Sequence, residues 1–249
     1  MKKWKGVLAI LAMSSCLVGC SQFKAEHNAV KLGKDGSLQT AVIDTLDKAY
    51  YSRDELEQTI NDAVSEYNAA NASEDDEAIV VKKYSGEDDA IELYMNYATA
   101  EDYQKFNNVT LYAGDLQGAY DGKYEFPDEF QKVEKGEVTG TVTKSEILSG
   151  LNYSVLIYSE EMDVEVPGKI LYISPDAVVT GKKKATNIAE LIGQQESETE
   201  AASEAETDSD DGAEIGKFEV ESDASQEETE SQSDEEEKAT HTLTFVIYE

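Results

Sequence analysis

The sequence predicts an α+β protein with a mostly antiparallel sheet, one main amphipathic helix and short extra helices. Three observations support this fold class. Segments rich in β-branched and aromatic residues outnumber segments with helical periodicity. The two kinds of segment do not alternate regularly, as they would in a parallel α/β fold. Only residues 52–71 carry a long helical stripe of apolar side chains.

The first predicted element is a β-hairpin in residues 29–44. Two short alternating runs flank Lys34, Asp35 and Gly36. Glycine supplies the positive φ that tight hairpin turns require. The chain is therefore expected to reverse direction at Gly36.

The main helix is predicted in residues 50–71. Ser52 and Glu55 match the S-x-x-E capping box, which satisfies free backbone N–H groups at a helix start. Both acidic residues of the first turn also suit the positive end of the helix dipole. The apolar positions follow the spacing of one buried face: Leu56, Ile60, Ala63, Val64 and Tyr67. Such a stripe indicates docking on a sheet rather than chemistry.

Strands and a short helix are predicted next. Residues 78–86 form a strand, and residues 88–100 alternate apolar with polar side chains, as a half-buried strand does. A helix of one or two turns is expected in residues 99–107, with Thr99 as its N-cap. Residues 108–114 are predicted to form another strand.

The centre of the chain is predicted from its turn residues. Residues 114–135 contain four Gly or Pro residues and are expected to be rich in loops. Residues 136–150 combine a strand with a short helix capped by Ser or Thr. Residues 152–174 contain two or three strands with a turn at Pro167 and Gly168, and residues 175–181 offer one more.

The last feature is an acidic tract followed by a strand. Residues 194–239 hold 19 Asp or Glu against Lys217 and Lys238. Such a composition buries too little apolar surface to offset the entropy of ordering, so the tract is predicted to be disordered. The nine residues that follow, 241–249, are rich in Thr, Phe, Val, Ile and Tyr. We expect this strand to return to the sheet, which makes the tract a loop held at both ends.

The amino terminus carries the most specific motif. Three lysines precede a run of 13 uncharged residues, 6–18. This run is too short for a transmembrane helix, which needs about 20 apolar residues, and fits the h-region of a signal peptide. Residues 17–20, Leu-Val-Gly-Cys, resemble the bacterial lipobox. The resemblance implies cleavage between Gly19 and Cys20 and fatty acylation of Cys20.

These features divide the chain into parts. A lipoprotein signal peptide covers residues 1–19, and a tether covers residues 20–28. Residues 29–193 together with 240–249 form a single α+β domain, and residues 194–239 are the acidic insertion. The only other cysteine, Cys16, leaves with the signal peptide, so a Cys16–Cys20 disulfide would stabilise nothing.

Charge and the lipid signal together limit location and partners. The formal net charge is −32, and removal of the three leading lysines takes it to about −35. A surface this acidic repels phosphates, so no nucleic-acid partner is expected. The lipid on Cys20 must then hold the protein to the membrane, since two or three acyl chains anchor firmly. The predicted location is the cell membrane, on its extracytoplasmic face.

Four segments also resemble a family of uncharacterised lipoproteins from low-GC Gram-positive bacteria. They are residues 49–68, 99–120, 164–174 and 245–249. Aromatic, turn and strand-core residues dominate them, so these motifs are structural. The resemblance implies no established activity and assigns no functional residue.

Metal and cofactor sites find little support in the sequence. His27 lies in the tether and His241 starts the last strand, without the spacing of a zinc site. Asp208, Asp210 and Glu219 match positions 1, 3 and 12 of a calcium-binding loop. However, Gly212 and Ala213 occupy positions that need a ligand and a glycine. Weak association of divalent cations through bulk charge is the simpler expectation, and no cofactor is predicted.

Catalytic motifs are also missing from the sequence. No G-x-S-x-G motif and no phosphate-binding loop occurs in the sequence. Paired carboxylates facing a cleft are one reading of Glu160, Glu161 and Asp163, but the solvated end of a hairpin explains them far better. Fourteen tyrosines suggest a glycan-stacking surface, but most lie in predicted strands, where Tyr packs well. Tyrosine is therefore expected to be a core residue here.

The sequence favours a non-enzymatic binding or interaction module on the cell surface, with an unidentified envelope partner. Two alternatives stay open. One is a cell-envelope hydrolase that uses paired carboxylates, which needs two acidic groups with separated pKa values in one cleft. The other is a calcium-responsive adhesin that uses the acidic loop.

Overall fold

A computed structural model describes residues 23–46, 52–71, 76–86, 89–149, 152–193 and 243–249. Its helices include α1 (Arg53–Asn71), α2 (Ala100–Asn107), α3 (Leu116–Asp121) and α4 (Lys144–Ser149), and residues 189–193 are helical as well. Its strands are β1 (Ala29–Leu32), β2 (Leu38–Thr45), β3 (Ile79–Ser85), β4 (Ala90–Tyr97), β5 (Leu111–Asp115), β6 (Glu129–Glu134), β7 (Glu137–Thr143), β8 (Ser154–Tyr158), β9 (Asp163–Glu165), β10 (Ile170–Ile173), β11 (Val178–Gly181), β12 (Lys184–Thr186) and β13 (Thr244–Tyr248). The predicted α+β class with mostly antiparallel pairing is confirmed.

The strands form two sheets rather than the single sheet expected. The first sheet has seven strands in the order β11-β12-β9-β1-β2-β4-β3, and the second has six in the order β5-β8-β13-β10-β6-β7. Between β8 and β10 the chain crosses to the first sheet and back, because β9 pairs with β1 and β12. Strand propensity predicts that β8, β9 and β10 are strands, but it does not predict which sheet each of them joins.

Two apolar clusters order the protein into layers. The first takes side chains from both sheets, including Leu93 and Met95 of β4 with Leu156 of β8, and therefore lies between them. The second takes side chains from the second sheet, α3 and α4, including Ile157 and Leu116. The sequence of layers is thus the first sheet, the inner cluster, the second sheet, and a cover of short helices. The first sheet has a second face, which points away from the inner cluster. We call this the outer face of the first sheet.

The helices begin at the capping residues that the sequence indicates. The Ser52 hydroxyl accepts the backbone N–H of Glu55 at 3.3 Å, and Thr99 accepts that of Asp102 at 3.1 Å. At the start of α4, Thr143 and Glu146 form a reciprocal capping pair. Gly36 has a φ of 85° in the turn between β1 and β2, as the hairpin prediction requires.

The prediction of a loop over residues 114–135 is wrong in part, because α3 and β6 lie there. Helix α3 has only six residues, too few to show a helical period, and starts where Asp115 accepts the Gly118 N–H at 2.6 Å. In β6 a register shift between Lys132 and Val133 interrupts the alternation. Such a bulge moves successive side chains out of the period that identifies a strand.

The predicted return of the carboxyl-terminal strand is confirmed. Strand β13 lies between β8 and β10 and pairs antiparallel with both. All five of its residues are buried. Ser174 adds a further link, since its hydroxyl accepts the Phe245 N–H at 2.8 Å. The end of the chain is therefore an interior strand of the second sheet.

This position predicts how the protein responds to a cut in residues 194–242. We expect the carboxyl-terminal peptide to stay bound after cleavage, because two ladders of hydrogen bonds and burial on both faces hold β13. Limited digestion with a Glu-specific protease, gel filtration and mass spectrometry of the folded peak would detect the peptide. Loss of the peptide from a domain that keeps its circular dichroism spectrum would contradict the prediction.

Candidate functional site

A concave surface lies on the outer face of the first sheet. It is a groove of about 950 Å³ that extends from Lys83 and Tyr94 on β3 and β4 to Thr180 and Lys184 on β11 and β12. Its floor includes Ala29 on β1 and Asp163 on β9. These residues are far apart in the sequence, so only the strand order of the sheet brings them together.

Residues 23–28 form one wall of this groove. The Phe23 ring meets the Tyr94 ring edge-on, with 6.3 Å between centroids. The Asn28 side chain accepts the Ile43 N–H at 2.9 Å, and the Asn28 carbonyl accepts the Asp163 N–H at 2.8 Å. Residues 20–28 were expected to be a free tether, but their described part, 23–28, is bound to the sheet. An apolar ring and a hydrogen-bonding amide are enough to attach so short a segment.

Ion pairs line the groove. Lys83 pairs with Glu92 and its ammonium lies 5.3 Å from the Tyr94 ring centroid. The hydrogen bond and charge of Lys83 lower the pKa of Glu92, and Glu92 in turn raises the pKa of Lys83. On the neighbouring strands Glu165 lies 2.9 Å from Lys31 and 3.7 Å from Lys184. The surface therefore presents alternating positive and negative groups beside aromatic rings.

The candidate carboxylates Glu160, Glu161 and Asp163 do not converge. Glu160 accepts a hydrogen bond from the Tyr103 hydroxyl at 2.8 Å, whereas Asp163 lies 3.3 Å from His27 in the groove. Glu161 is exposed to solvent. Acid–base hydrolysis would need one carboxyl held protonated beside another that is ionised. In the groove the hydrogen bond and charge of Lys83 lower the pKa of Glu92, so this carboxyl favours its ionised form instead.

The metal candidates divide into two groups. His27 has Asp163 as its neighbour, and within the described residues no three His, Cys, Asp or Glu side chains come close enough to hold a metal ion. The residues suggested for a calcium loop, Asp208, Asp210 and Glu219, lie outside the described residues, as does His241. Gly19 and the lipidation residue Cys20 also lie outside them.

Most of the described tyrosines support the core assignment. Tyr97, Tyr103 and Tyr158 are less than 10 % exposed, and the rings of Tyr97 and Tyr103 meet at 5.1 Å between centroids. Burial raises the pKa of Tyr97 to about 12. Burial and the nearby Glu160 raise the pKa of Tyr103 as well. Among the described tyrosines the exceptions are Tyr94, which faces the groove, and Tyr120, which is 55 % exposed on α3.

The sequence analysis did not predict that residues 23–28 form a wall of the groove. Ser21 to Asn28 contains no periodic pattern, and its contacts come from Phe23, His27 and Asn28 one at a time. The isolated Phe23 in a polar segment was the one available signal. Pairing of Lys and Glu across β1, β9 and β12 depends on strand order, which the sequence does not reveal.

Comparison with family models, with curated proteins and with solved structures gives no match. The resemblance to Gram-positive lipoproteins therefore stays a prediction. Within the described residues no helix is long and apolar enough to cross a membrane.

The buried tyrosines predict a loss of stability at alkaline pH. An unfolded tyrosine ionises near pH 10.0, whereas Tyr97 in the folded protein does so near 12. Below pH 10 the tyrosine is protonated in both the folded and the unfolded state, so its burial contributes fully to the free energy of unfolding. Between these values only the unfolded state loses its proton, so the free energy of unfolding should fall by about 1.4 kcal/mol per pH unit for one such group.

Urea unfolding from neutral pH to pH 12, with tyrosinate absorbance recorded in parallel, would measure this loss. The Tyr97→Phe variant is the matched control and should show a shallower fall. An equal slope in both proteins would contradict the assignment of Tyr97 to the core.

Proposed function

We propose that the protein is a membrane-anchored bacterial surface lipoprotein whose domain acts as a non-enzymatic binding module. The observation that carries the anchor is the lipobox-like Leu-Val-Gly-Cys at residues 17–20, whose first two residues end the uncharged run 6–18. A thiol is needed for thioether lipidation and a small preceding residue for cleavage, and Cys20 and Gly19 provide them. The membrane location and extracytoplasmic face follow from this signal.

The groove supports the binding half of the proposal. It has a volume within the range of ligand sites, and its polar groups are ion pairs rather than the separated acid and base of a hydrolase. The chemistry best matched to Lys83–Glu92 beside Tyr94 is a ligand that carries both charges or a polar group with an apolar surface. Among the described residues no contact favours the hydrolase or the calcium-responsive adhesin.

Replacement of the lipidated residue tests the anchor. In the Cys20→Ala variant we expect the domain to fold but to keep its signal peptide and to lack lipid, because no thiol is available. Incorporation of labelled fatty acid, measured on the immunoprecipitated protein, should fall to background. The Cys16→Ala variant is the matched control and should be labelled like the wild type. Continued labelling of the Cys20 variant would overturn the anchor.

Photo-crosslinking in intact cells tests the groove. A photoreactive amino acid at Thr180, an exposed residue of the groove, should form an adduct with the ligand. The same group at Tyr120, 55 % exposed on α3, should not, since α3 covers the opposite side of the domain. Mass spectrometry of the adduct would identify the ligand. Equal yields at the two positions would contradict a binding role for the groove.

A further inference from the structure

The distance between the predicted lipid and the groove limits how the domain can sit on a membrane. Phe23 is only three residues after Cys20. Even fully extended, three residues span at most about 11 Å. Because Phe23 is held against Tyr94 on the outer face of the first sheet, the lipid must attach within that distance of this face. No other face of the layered domain is so constrained.

The charge of this face also fits a position beside lipid headgroups. The groove and its ion pairs contain Lys24, Lys31, Lys83 and Lys184 against Glu26, Glu92, Asp163 and Glu165, which is an even balance. The whole chain, in contrast, has a net charge of −32. Anionic lipids repel acidic surfaces and attract lysines, so this balanced face approaches a bilayer at lower cost than an acidic face would.

Aromatic residues at the anchored edge strengthen this orientation. The rings of Phe23 and Tyr94 pack together beside the Lys83 ammonium. Aromatic rings are favoured at the level of lipid headgroups, and long lysine side chains extend toward phosphates from there. Phe23, Tyr94 and Lys83 therefore place together the two kinds of group, aromatic rings and a lysine, that are favoured at a membrane interface.

We infer that the outer face of the first sheet rests on the headgroup layer of the bilayer that holds Cys20, so that the groove takes a phospholipid headgroup. This inference rests on the proposed lipid anchor and names the partner of the same groove. Any phospholipid headgroup supplies a phosphate for Lys83 or Lys184, and a zwitterionic headgroup such as phosphatidylethanolamine also supplies an amine for Glu92 or Glu165.

Fluorescence quenching on vesicles tests the orientation. The mature chain has no cysteine other than the lipidated Cys20, so one added cysteine takes one fluorophore. Gln39→Cys places the label on an exposed position of the outer face, and Tyr120→Cys places it on α3. Sheets stack about 10 Å apart and a helix adds a similar thickness, so the two labels lie roughly 20 Å apart in depth.

The lipidated full-length protein would be reconstituted in phosphatidylethanolamine and phosphatidylglycerol vesicles that contain a nitroxide-headgroup lipid. We expect the Gln39 label to be quenched at least about twofold more than the Tyr120 label, given that difference in depth. A variant with a long Gly-Ser segment between Gln22 and Phe23 should lose the difference, because the short reach that sets the orientation is gone.

The outcomes separate the inference from the anchor on which it rests. Protein that does not float with the vesicles contradicts lipidation, and the orientation with it. Protein that floats but shows equal quenching, or stronger quenching at Tyr120, keeps the anchor and overturns the orientation. Weak quenching at Gln39 in a protein that forms dimers on the vesicles would assign the face to a second copy of the chain, and also overturns it.

Discussion

The pairing of β13 with β8 and β10 is the interaction on which the rest of the structure depends. Phe245 and Ile247 on one face of β13 belong to the second cluster, which α3 and α4 cover, and Val246 and Tyr248 on the other face belong to the inner cluster. Without β13 the second sheet would split between β8 and β10, and each cluster would lose a wall. Hydrogen bonds also hold both ends of this strand. The Asn187 side-chain amide donates to the Thr244 hydroxyl at 2.9 Å, and the Lys169 backbone N–H donates to the Glu249 carbonyl at 3.0 Å.

The cost of bringing β13 back across residues 194–242 is small compared with what its burial contributes. Closing a flexible chain of this length costs about 3–4 kcal/mol, and doubling the length adds only about 0.6 kcal/mol. Full burial of a Phe, Val or Ile side chain contributes about 1.5–3 kcal/mol each, and β13 buries all five of its residues. The fold therefore places little restriction on the length of the acidic tract, so its length and charge need a reason other than stability.

The sequence predicts the features that depend on neighbouring residues and does not predict those that depend on the pairing of distant strands. The hairpin at Gly36, the Ser52 and Thr99 caps and the alternation of β4 are local patterns, and the structure confirms them. The return of β13 was also predictable, because so apolar a strand cannot stay exposed after a polar tract. Strand β6 was missed because its bulge breaks the period, and the division into two sheets was missed because propensity does not specify partners. The groove combines β1, β4, β9 and β12, so no local pattern could reveal it.

The positions of the charged side chains in the groove depend on pairing between strands that are distant in the sequence, and the proposed binding role depends on those positions. Parallel pairing of β1 with β9 sets Lys31 opposite Glu165, and antiparallel pairing of β12 with β9 sets Lys184 beside the same carboxylate. A slip of one residue in either pairing would turn these side chains to the inner cluster, where an unpaired charge is very costly. The burial of Val30 and Val164 on the inner side therefore fixes which charges face outward. The core thus specifies which charges balance on the outer face. In the proposed lipoprotein, the three-residue reach from Cys20 to Phe23 would bring this same face nearest to the lipid.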